Sequence, residues 1–370
     1  MIDQNLQVIT VKKFLKTLIK ILKWIGIVIL GLMIVLLLVR FAGKLYYNRT
    51  PEGGINETMY ADINGTKQWI SIYGQDRDNP VLLYIHGGPF GPTSWADWGV
   101  WRKLSADYTV VNWDQHGYGH NYPKYRATEP ISADDMIADG KALTDFLCDY
   151  LDKEKITVFG HSMGSSYAAN LALDYPEKYD AVIVGALIVD EQESRSRYQE
   201  YQLARTVYDP ELHALVEQID PAKEITEQEE IYQELILKGY APIEDILAEA
   251  ETSLFSAVWL NPYCTLGEQY QMLFSDKTEY NKMVTNGSIH GEAYGEQLSI
   301  LERTQYQVPF YLIQGKNDHN VGTMVEVAVE YYENVEAPDK DICLIEGGHV
   351  SPLLCCDQLA AFVHKIASRH

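Results

Sequence analysis

Gly160-His161-Ser162-Met163-Gly164 follows directly on the β-branched and aromatic run Ile156-Thr157-Val158-Phe159. A G-x-S-x-G pentapeptide between a strand and a helix is the turn that lifts a serine hydroxyl above the end of a sheet as a nucleophile. Its glycines answer a steric need, because so sharp a turn leaves no room for Cβ atoms. The helix after it aims its amide dipoles at the reacting oxygen. Short matches to this pattern arise by chance, so its weight comes from three further segments, each placed just after a strand-like run. His86-Gly87-Gly88-Pro89 follows Val81 to Ile85, where the amide of Gly88, with that of Met163, would hold a tetrahedral oxyanion. Gly315-Lys316-Asn317-Asp318 brings a carboxylate to the same sheet edge, and Gly347-Gly348-His349 brings an imidazole. The chain order serine, aspartate, histidine is the one expected when a triad is assembled from successive strand ends. It casts Ser162 as nucleophile, His349 as general base and Asp318 as the group that orients the imidazole. Asp190 is the alternative acid, and His116 and His120 are alternative bases. His161 inside the turn, His86 in the oxyanion segment and His319 beside Asp318 read as local structural residues.

Positioning these groups requires a sheet. Gln68 to Tyr73 alternates like a half-buried strand, while Val81 to Ile85 and Tyr108 to Trp113 are apolar throughout, as in a sheet covered on both faces. Ser132-Ala133-Asp134-Asp135 is a capping box opening a helix that runs through Tyr150. Strand Ile156 to Phe159, helix Ser165 to Leu173, strand Ala181 to Val189, strand Phe310 to Ile313, helix Thr323 to Tyr332 and strand Ile342 to Ile345 continue the alternation. The pattern predicts an α/β class with a mostly parallel sheet flanked by helices. Between Glu191 and about Leu301 helix-favouring segments replace the strands, at Tyr198 to Tyr208, Pro210 to Gln218, Glu227 to Lys238 and Ile243 to Ala257. They read as an inserted helical cap. The expected organisation is a core in two parts, 59–190 and 301–370, around a cap at 191–300. At 46% hydrophobic residues, 370 residues suffice for one such domain with its insertion.

The first residues are of another kind. Lys12, Lys13, Lys16, Lys20 and Lys23 lead into Trp24 to Val39, a run without charge, which reaches spanning length when extended back to Leu18 with Lys20 and Lys23 snorkelling. This predicts a cytoplasmic tail at 1–17, a transmembrane anchor at 18–40 and a linker at 41–58, with Trp24 and Tyr46-Tyr47 at the interfaces. A cleavable signal shares the pattern. Arg40 ahead of Ala42-Gly43 does not fit a cleavage site, which favours an uncleaved anchor. Five lysines before the span, against Arg40, Lys44 and Arg49 after it, predict a single-pass cell-membrane protein with its catalytic domain outside. Residues 1–49 carry a net +7 in a chain of net −22, so the remainder holds −29. Such acidity disfavours nucleic acid as a partner. Cys148, Cys264, Cys343, Cys355 and Cys356 form no C-x-x-C pair and no disulfide framework, and neither a metal nor an organic cofactor is expected.

His86-Gly87-Gly88-Pro89 and Trp113-Asp114-Gln115-His116-Gly117-Tyr118-Gly119 carry a resemblance. Residues 59 to 190 and 301 to 370 resemble the α/β-hydrolase superfamily and, within it, the proline iminopeptidase group of serine aminopeptidases. That group has H-G-G-P-G and D-Q-R-G-x-G-x-S, where this chain has Phe90, His116 and Asn121 at the departing positions. The group's G-G-S-W-G also differs from Gly160-His161-Ser162-Met163-Gly164, a form commoner among esterases and lipases. The expected triad would act through an acyl-enzyme released by water, and the resemblance implies cap glutamates that bind the substrate's free α-amino group, for which Glu191 and Glu193, with Glu200 nearby, are the candidates. Tyr198, Tyr201, Trp259 and Tyr263 would wall an apolar pocket. Two substrate classes remain open, a small peptide with a free N-terminus and a carboxylic ester. A non-catalytic binding module on the same fold is the third reading.

Overall fold

The computed structural model describes residues 2–88, 94, 98–116, 118–121, 131–223, 225–239, 258–274 and 297–369. It divides into two compact units, Met1–Arg49 with Trp259–Pro262, and Thr50–Val258 with Tyr263–His370.

The first unit is built on helix α1, Ile2–Tyr47. Its stretch Phe14–Tyr47 is long and apolar enough to cross a membrane, with a mean hydropathy of 2.8 in its most apolar window. Leucine, isoleucine and valine side chains stay exposed all round it, a surface that water penalises and hydrocarbon does not. Arg40 is the exception at 6% exposure. Its guanidinium donates to the Trp259 carbonyl at 2.7 Å and lies 5.5 Å from the indole centroid, while the indole N–H donates to the Leu36 carbonyl at 2.9 Å.

The second unit is organised by a sheet of eight described strands. These are β1 (Ile55–Ile63), β2 (Thr66–Gly74), β3 (Val81–Ile85), β4 (Thr109–Trp113), β5 (Ile156–His161), β6 (Tyr179–Gly185), β7 (Phe310–Gly315) and β8 (Lys340–Ile345), in spatial order β1-β2-β4-β3-β5-β6-β7-β8. From β4 to β8 all neighbours are parallel, whereas β1 and β2 attach antiparallel at one edge. β1 begins inside the stretch read as linker. Asn64 and Gly65, both with positive φ, close the hairpin between Ile63 and Thr66, the two-residue turn whose twist matches that of the strands.

Alternate residues of the central strands feed two layers. Leu83, Ile85, Val158, Val182 and Leu312 pack with Leu143 and Leu147 of α3 (Ala133–Leu151) and Ala168 of α4 (Met163–Asp174). Leu82, Tyr84, Phe159, Ile183 and Tyr311 face Trp101 of α2 (Trp98–Leu104) and Leu359 and Val363 of the C-terminal helix Cys356–Ala367. The capping box of α3 is formed, with Ser132 and Asp135 bonding reciprocally.

Between β6 and β7 the described elements are helical: α5 (Glu191–Arg205), α6 (Pro210–Val216), α7 (Glu229–Leu237) and α8 (Leu266–Phe274). The helix expected over Ile243 to Ala257 lies outside the described residues. α5 begins seven residues before the expected Tyr198, because the Asp190 carboxylate accepts from the Glu193 amide at 2.8 Å and caps it. α8 has its own reciprocal cap, Thr265 with Glu268. α9 (Val325–Asn334) links β7 to β8, and the short α10 (Ser351–Leu354) precedes the C-terminal α11 (Cys356–Ala367). β6 ends at Gly185 rather than at Val189, since Ala186 turns to φ 47° and the next amides leave the ladder.

Candidate active site

The parallel strands β3, β5, β7 and β8 all release their chains at one edge of the sheet, where open α/β sheets bind ligands. Ser162 follows β5 immediately and precedes α4, with φ 56° and ψ −127°. A non-glycine residue in that region costs on the order of 1–3 kcal/mol, which its surroundings must offset. They do so with three hydrogen bonds. The Ser162 amide donates to the Gly185 carbonyl at 2.9 Å, and the Ser162 carbonyl accepts from the Ser165 amide at 2.7 Å and the Ser165 hydroxyl at 2.5 Å. Ser165 Oγ in turn accepts from the Ile188 amide at 3.1 Å, so the chain leaving β6 is tied to the turn. Both flanking glycines are sterically required. A Cβ at Gly160 would strike the Gly164 carbonyl, and one at Gly164 would strike the Ile85 carbonyl.

His349 Nε2 lies 3.0 Å from Ser162 Oγ, and its Nδ1 lies 3.3 Å from Asp318 Oδ2. Asp318 is fully buried, whereas the His349 side chain keeps 18% of its surface exposed. Gly315 accounts for this arrangement, because a Cβ there would hit the Gly347-Gly348 backbone that carries His349. Gly347 takes φ 101°, a conformation open to glycine. The three residues that the sequence singles out as a triad are thus brought together in one cluster.

Neighbours unread in the sequence complete the arrangement. Thr323 Oγ1 lies 3.0 Å from Asp318 Oδ1 and 2.9 Å from His349 Nδ1, and Gln314 Nε2 donates to Asp318 Oδ2 at 2.9 Å. Gln314 Oε1 accepts from the Leu187 amide at 3.0 Å, which joins β7 to the chain leaving β6. His161 donates from Nε2 to the His349 carbonyl at 2.9 Å. Burial, with the nearby His349 ring, pushes the His161 pKa down to about 3, so it stays a neutral donor.

The segment expected to hold the oxyanion approaches from β3. A Cβ on Gly87 would lie 2.9 Å from Ser162 Cβ and 3.5 Å from its Oγ, so Gly87 is the glycine that the approach demands. Gly88 is half-buried beside it, and Met163 supplies the first amide of α4, one of those that a helix leaves outside its own ladder. His86 is buried and its pKa is lowered by that burial. Its Nε2 accepts from the Gln115 amide at 3.4 Å, its Nδ1 contacts the Gly87 carbonyl, and Gln115 Nε2 holds the His86 carbonyl at 2.8 Å. His86 therefore braces the turn.

The alternative groups are used elsewhere. Asp190 caps α5. Burial alone would lower the pKa of His120, but the Asp114 carboxylate at 2.7 Å and the Cys264 sulfur at 3.5 Å push it up to about 10, and its ring stacks on Trp69 at 3.9 Å. His116 stands 4.0 Å from Asp139, and His319 stacks on Tyr201 with Nε2 3.3 Å from Glu326. Asn121, where the iminopeptidase pattern has serine, spans from the Trp69 amide to the carbonyls of Asp114 and Gln115, a reach that serine lacks.

Glu191 and Glu193 are not brought together. Glu191, 22% exposed at its side chain, lines a small cavity with Met163, Ser166 and Leu298 and pairs with Arg195 at 3.2 Å. Burial raises its pKa against the lowering effect of Arg195. Glu193 pairs with Arg197 at 2.9 Å and faces a different hollow, with Glu330 and Tyr331. Among the described residues, no group of three or more His, Cys, Asp or Glu side chains is arranged to hold a metal ion.

The family model for the alpha/beta hydrolase fold matches residues 80–214. The probable aminopeptidase YbaC of Bacillus subtilis (strain 168) is 27% identical over 287 residues, 75% of this chain and 85% of its own length. Rhodomycin D methylesterase DnrP of Streptomyces peucetius is 33% identical over 125 residues, 33% of this chain and 40% of its own. Among solved structures, the proline iminopeptidase of Mycobacterium smegmatis has a TM-score of 0.56 at 17% identity, over 85% of this chain and 98% of that one. A proline iminopeptidase-related protein of Thermus thermophilus has a TM-score of 0.53 at 19% identity, over 85% and 97%. At such identities the structural likeness is one of fold. Sheet order, serine turn and sequence similarity agree: the chain has the α/β-hydrolase fold and resembles the proline iminopeptidase type.

Proposed function

We propose that this α/β-hydrolase is a membrane-anchored serine hydrolase that releases N-terminal residues from small peptides through an acyl-enzyme. The observation that carries the reading is the contact of His349 Nε2 with Ser162 Oγ at 3.0 Å, with the buried Asp318 behind the ring. In this mechanism His349 takes the hydroxyl proton as Ser162 attacks the carbonyl carbon. The Gly88 and Met163 amides meet the oxyanion, and His349 passes the proton to the leaving amine. Water, activated by the same imidazole, then releases the acyl group and restores Ser162.

Glu191 is the candidate for the substrate's α-ammonium group, because it shares a cavity with Met163. An ammonium ion there would compete with Arg195 for the carboxylate and gain a charge-assisted hydrogen bond. Glu193 faces a different hollow, away from Met163, which makes Glu191 the stronger candidate of the two. Carboxylic ester hydrolysis is the second reading, favoured by the form of the serine turn and by the existing partner of Glu191. The helix Phe14–Tyr47 supports the anchor, and the lysines before it support a cytoplasmic N-terminus with the catalytic unit outside.

The test is kcat/KM for prolyl and alanyl arylamides with free and acetylated N-termini, beside short and long acyl p-nitrophenyl esters. Arylamide turnover that disappears on acetylation is expected. Ester turnover alone would replace the aminopeptidase by an esterase, and failure of a fluorophosphonate probe to label the protein would leave a non-catalytic binding module. Protease accessibility on intact cells checks the orientation.

A further inference from the structure

We infer that Thr323 is a positioning residue of the triad, its hydroxyl set between the carboxylate of Asp318 and the imidazole of His349. This rests on the proposed roles of Ser162, Asp318 and His349. The distances carry the inference: His349 Nδ1 is 2.9 Å from Thr323 Oγ1 but 3.3 Å from Asp318 Oδ2, and Thr323 Oγ1 is 3.0 Å from Asp318 Oδ1.

The proton count then fixes the direction of each bond. An ionised carboxylate only accepts, so the single hydroxyl proton of Thr323 goes to Asp318 Oδ1. Toward the ring the Thr323 oxygen can therefore only accept, and Nδ1 must carry its hydrogen. Nε2 is left bare in front of Ser162 Oγ, the tautomer that a general base requires. Asp318 Oδ2 is meanwhile held by Gln314 Nε2 at 2.9 Å, which opposes its swinging closer to the ring.

The loop is built to keep the hydroxyl in place. Thr323 is 1% exposed, its amide donates to the Asn320 carbonyl at 3.0 Å, and the Val325 amide donates to the Asp318 carbonyl at 2.8 Å. The segment from Asp318 to Val325 thus closes on itself with the threonine inside. β-Branching limits χ1 and keeps the oxygen on its two partners.

The experiment uses the full chain in detergent micelles and compares Thr323→Val, which keeps shape and removes the hydroxyl, with Thr323→Ser, which keeps the hydroxyl. The substrate is whichever arylamide or ester the wild type turns over. Thr323→Val should lower kcat by about 10–100-fold, the scale of a hydrogen bond to an ion that forms in the transition state. KM should stay within about twofold, since ground-state binding is untouched. Losing the shorter acceptor at Nδ1 disfavours the imidazolium, so the acid limb of kcat/KM should move to lower pH. Thr323→Ser should recover kcat to within about threefold of wild type. A valine variant with wild-type kcat and pH profile would overturn the inference, as would a serine variant impaired as badly as valine. If the valine protein does not fold, Thr323→Ala is read against Thr323→Ser by the same criteria. Ser162→Ala in parallel separates the two layers of argument. Turnover that survives it sinks the triad and this inference together, whereas turnover that it abolishes, with Thr323→Val unaffected, sinks Thr323 alone.

Discussion

Gly87→Ala tests how tightly the turn after β3 is pressed against Ser162. The added Cβ would lie 2.9 Å from Ser162 Cβ, 3.1 Å from the His161 carbonyl oxygen and 3.5 Å from Ser162 Oγ. Ordinary contacts between such atoms need roughly 3.5–4.0 Å, so the two segments must part by about half an ångström or more. Neither yields easily. The Ser162 amide is bonded to Gly185 and its carbonyl to Ser165, while Gln115 holds the His86 carbonyl. Overpacking of this kind costs roughly 1–3 kcal/mol, which in a chain of this size lowers Tm by a few degrees. The larger effect falls on chemistry, because a displacement near 1 Å at the reacting centre costs on the order of 100-fold. The assay is the second-order rate of labelling by a fluorophosphonate, which on the proposed mechanism needs Ser162, His349 and the oxyanion donors but no substrate pocket. A fall of about 10–100-fold, with Tm lowered by only a few degrees, is expected. Labelling within twofold of wild type would mean that the turn moves freely, and the account of Gly87 would be refuted.

Ser162→Ala should abolish turnover and probe labelling while leaving the circular dichroism spectrum unchanged; residual hydrolysis above about one thousandth of wild type would point to another nucleophile. Glu191→Gln should raise KM for free-amine arylamides by roughly 10-fold and leave acetylated esters unaffected, with Glu193→Gln close to wild type in both. Equal losses in the two glutamate variants would restore the paired role. Two histidines set opposite flanks of the stability profile. The folded pKa of His161 is lowered to about 3, so its contribution is complete above the unfolded value near 6.5 and is lost as pH falls toward 3. For His120 the folded pKa is raised to about 10, so its contribution is complete below about 6.5 and is lost as pH rises through 10. Melting curves against pH should flatten on the acid side in His161→Gln and on the alkaline side in His120→Gln. Swapped flanks would contradict both assignments.

The candidate triad was legible because each member stands a few residues beyond an apolar run, and parallel strands deliver such positions to one edge. The glutamates were harder, since their relation depends on where α5 begins. With Asp190 as the cap, Glu191 and Glu193 fall two positions apart inside one helix and point to different sides. Asp190 followed by Glu193 carries part of a capping signal, and it outweighs the later helix start at Tyr198. The Asn64-Gly65 turn was likewise present as a hairpin signal for β1, in a strand whose polar outer face hid its alternation. Thr323 and Gln314 could not be found locally. Their roles exist only once the loop after β7 closes and brings both to Asp318, a relation set by tertiary structure.

The positive φ of Ser162 makes this residue a local strain gauge. It persists only while the neighbours of β5 hold it: the Gly185 carbonyl at the end of β6, the Ser165 hydroxyl, and the closely fitted glycines at 160 and 164. If the β5–β6 pairing loosens, the serine can relax to an ordinary backbone conformation without any loss of secondary structure, and its oxygen leaves the reach of His349. On the proposed mechanism, substitutions that slacken the β5–β6 pairing should lower reactivity at Ser162 without touching any of the three triad side chains.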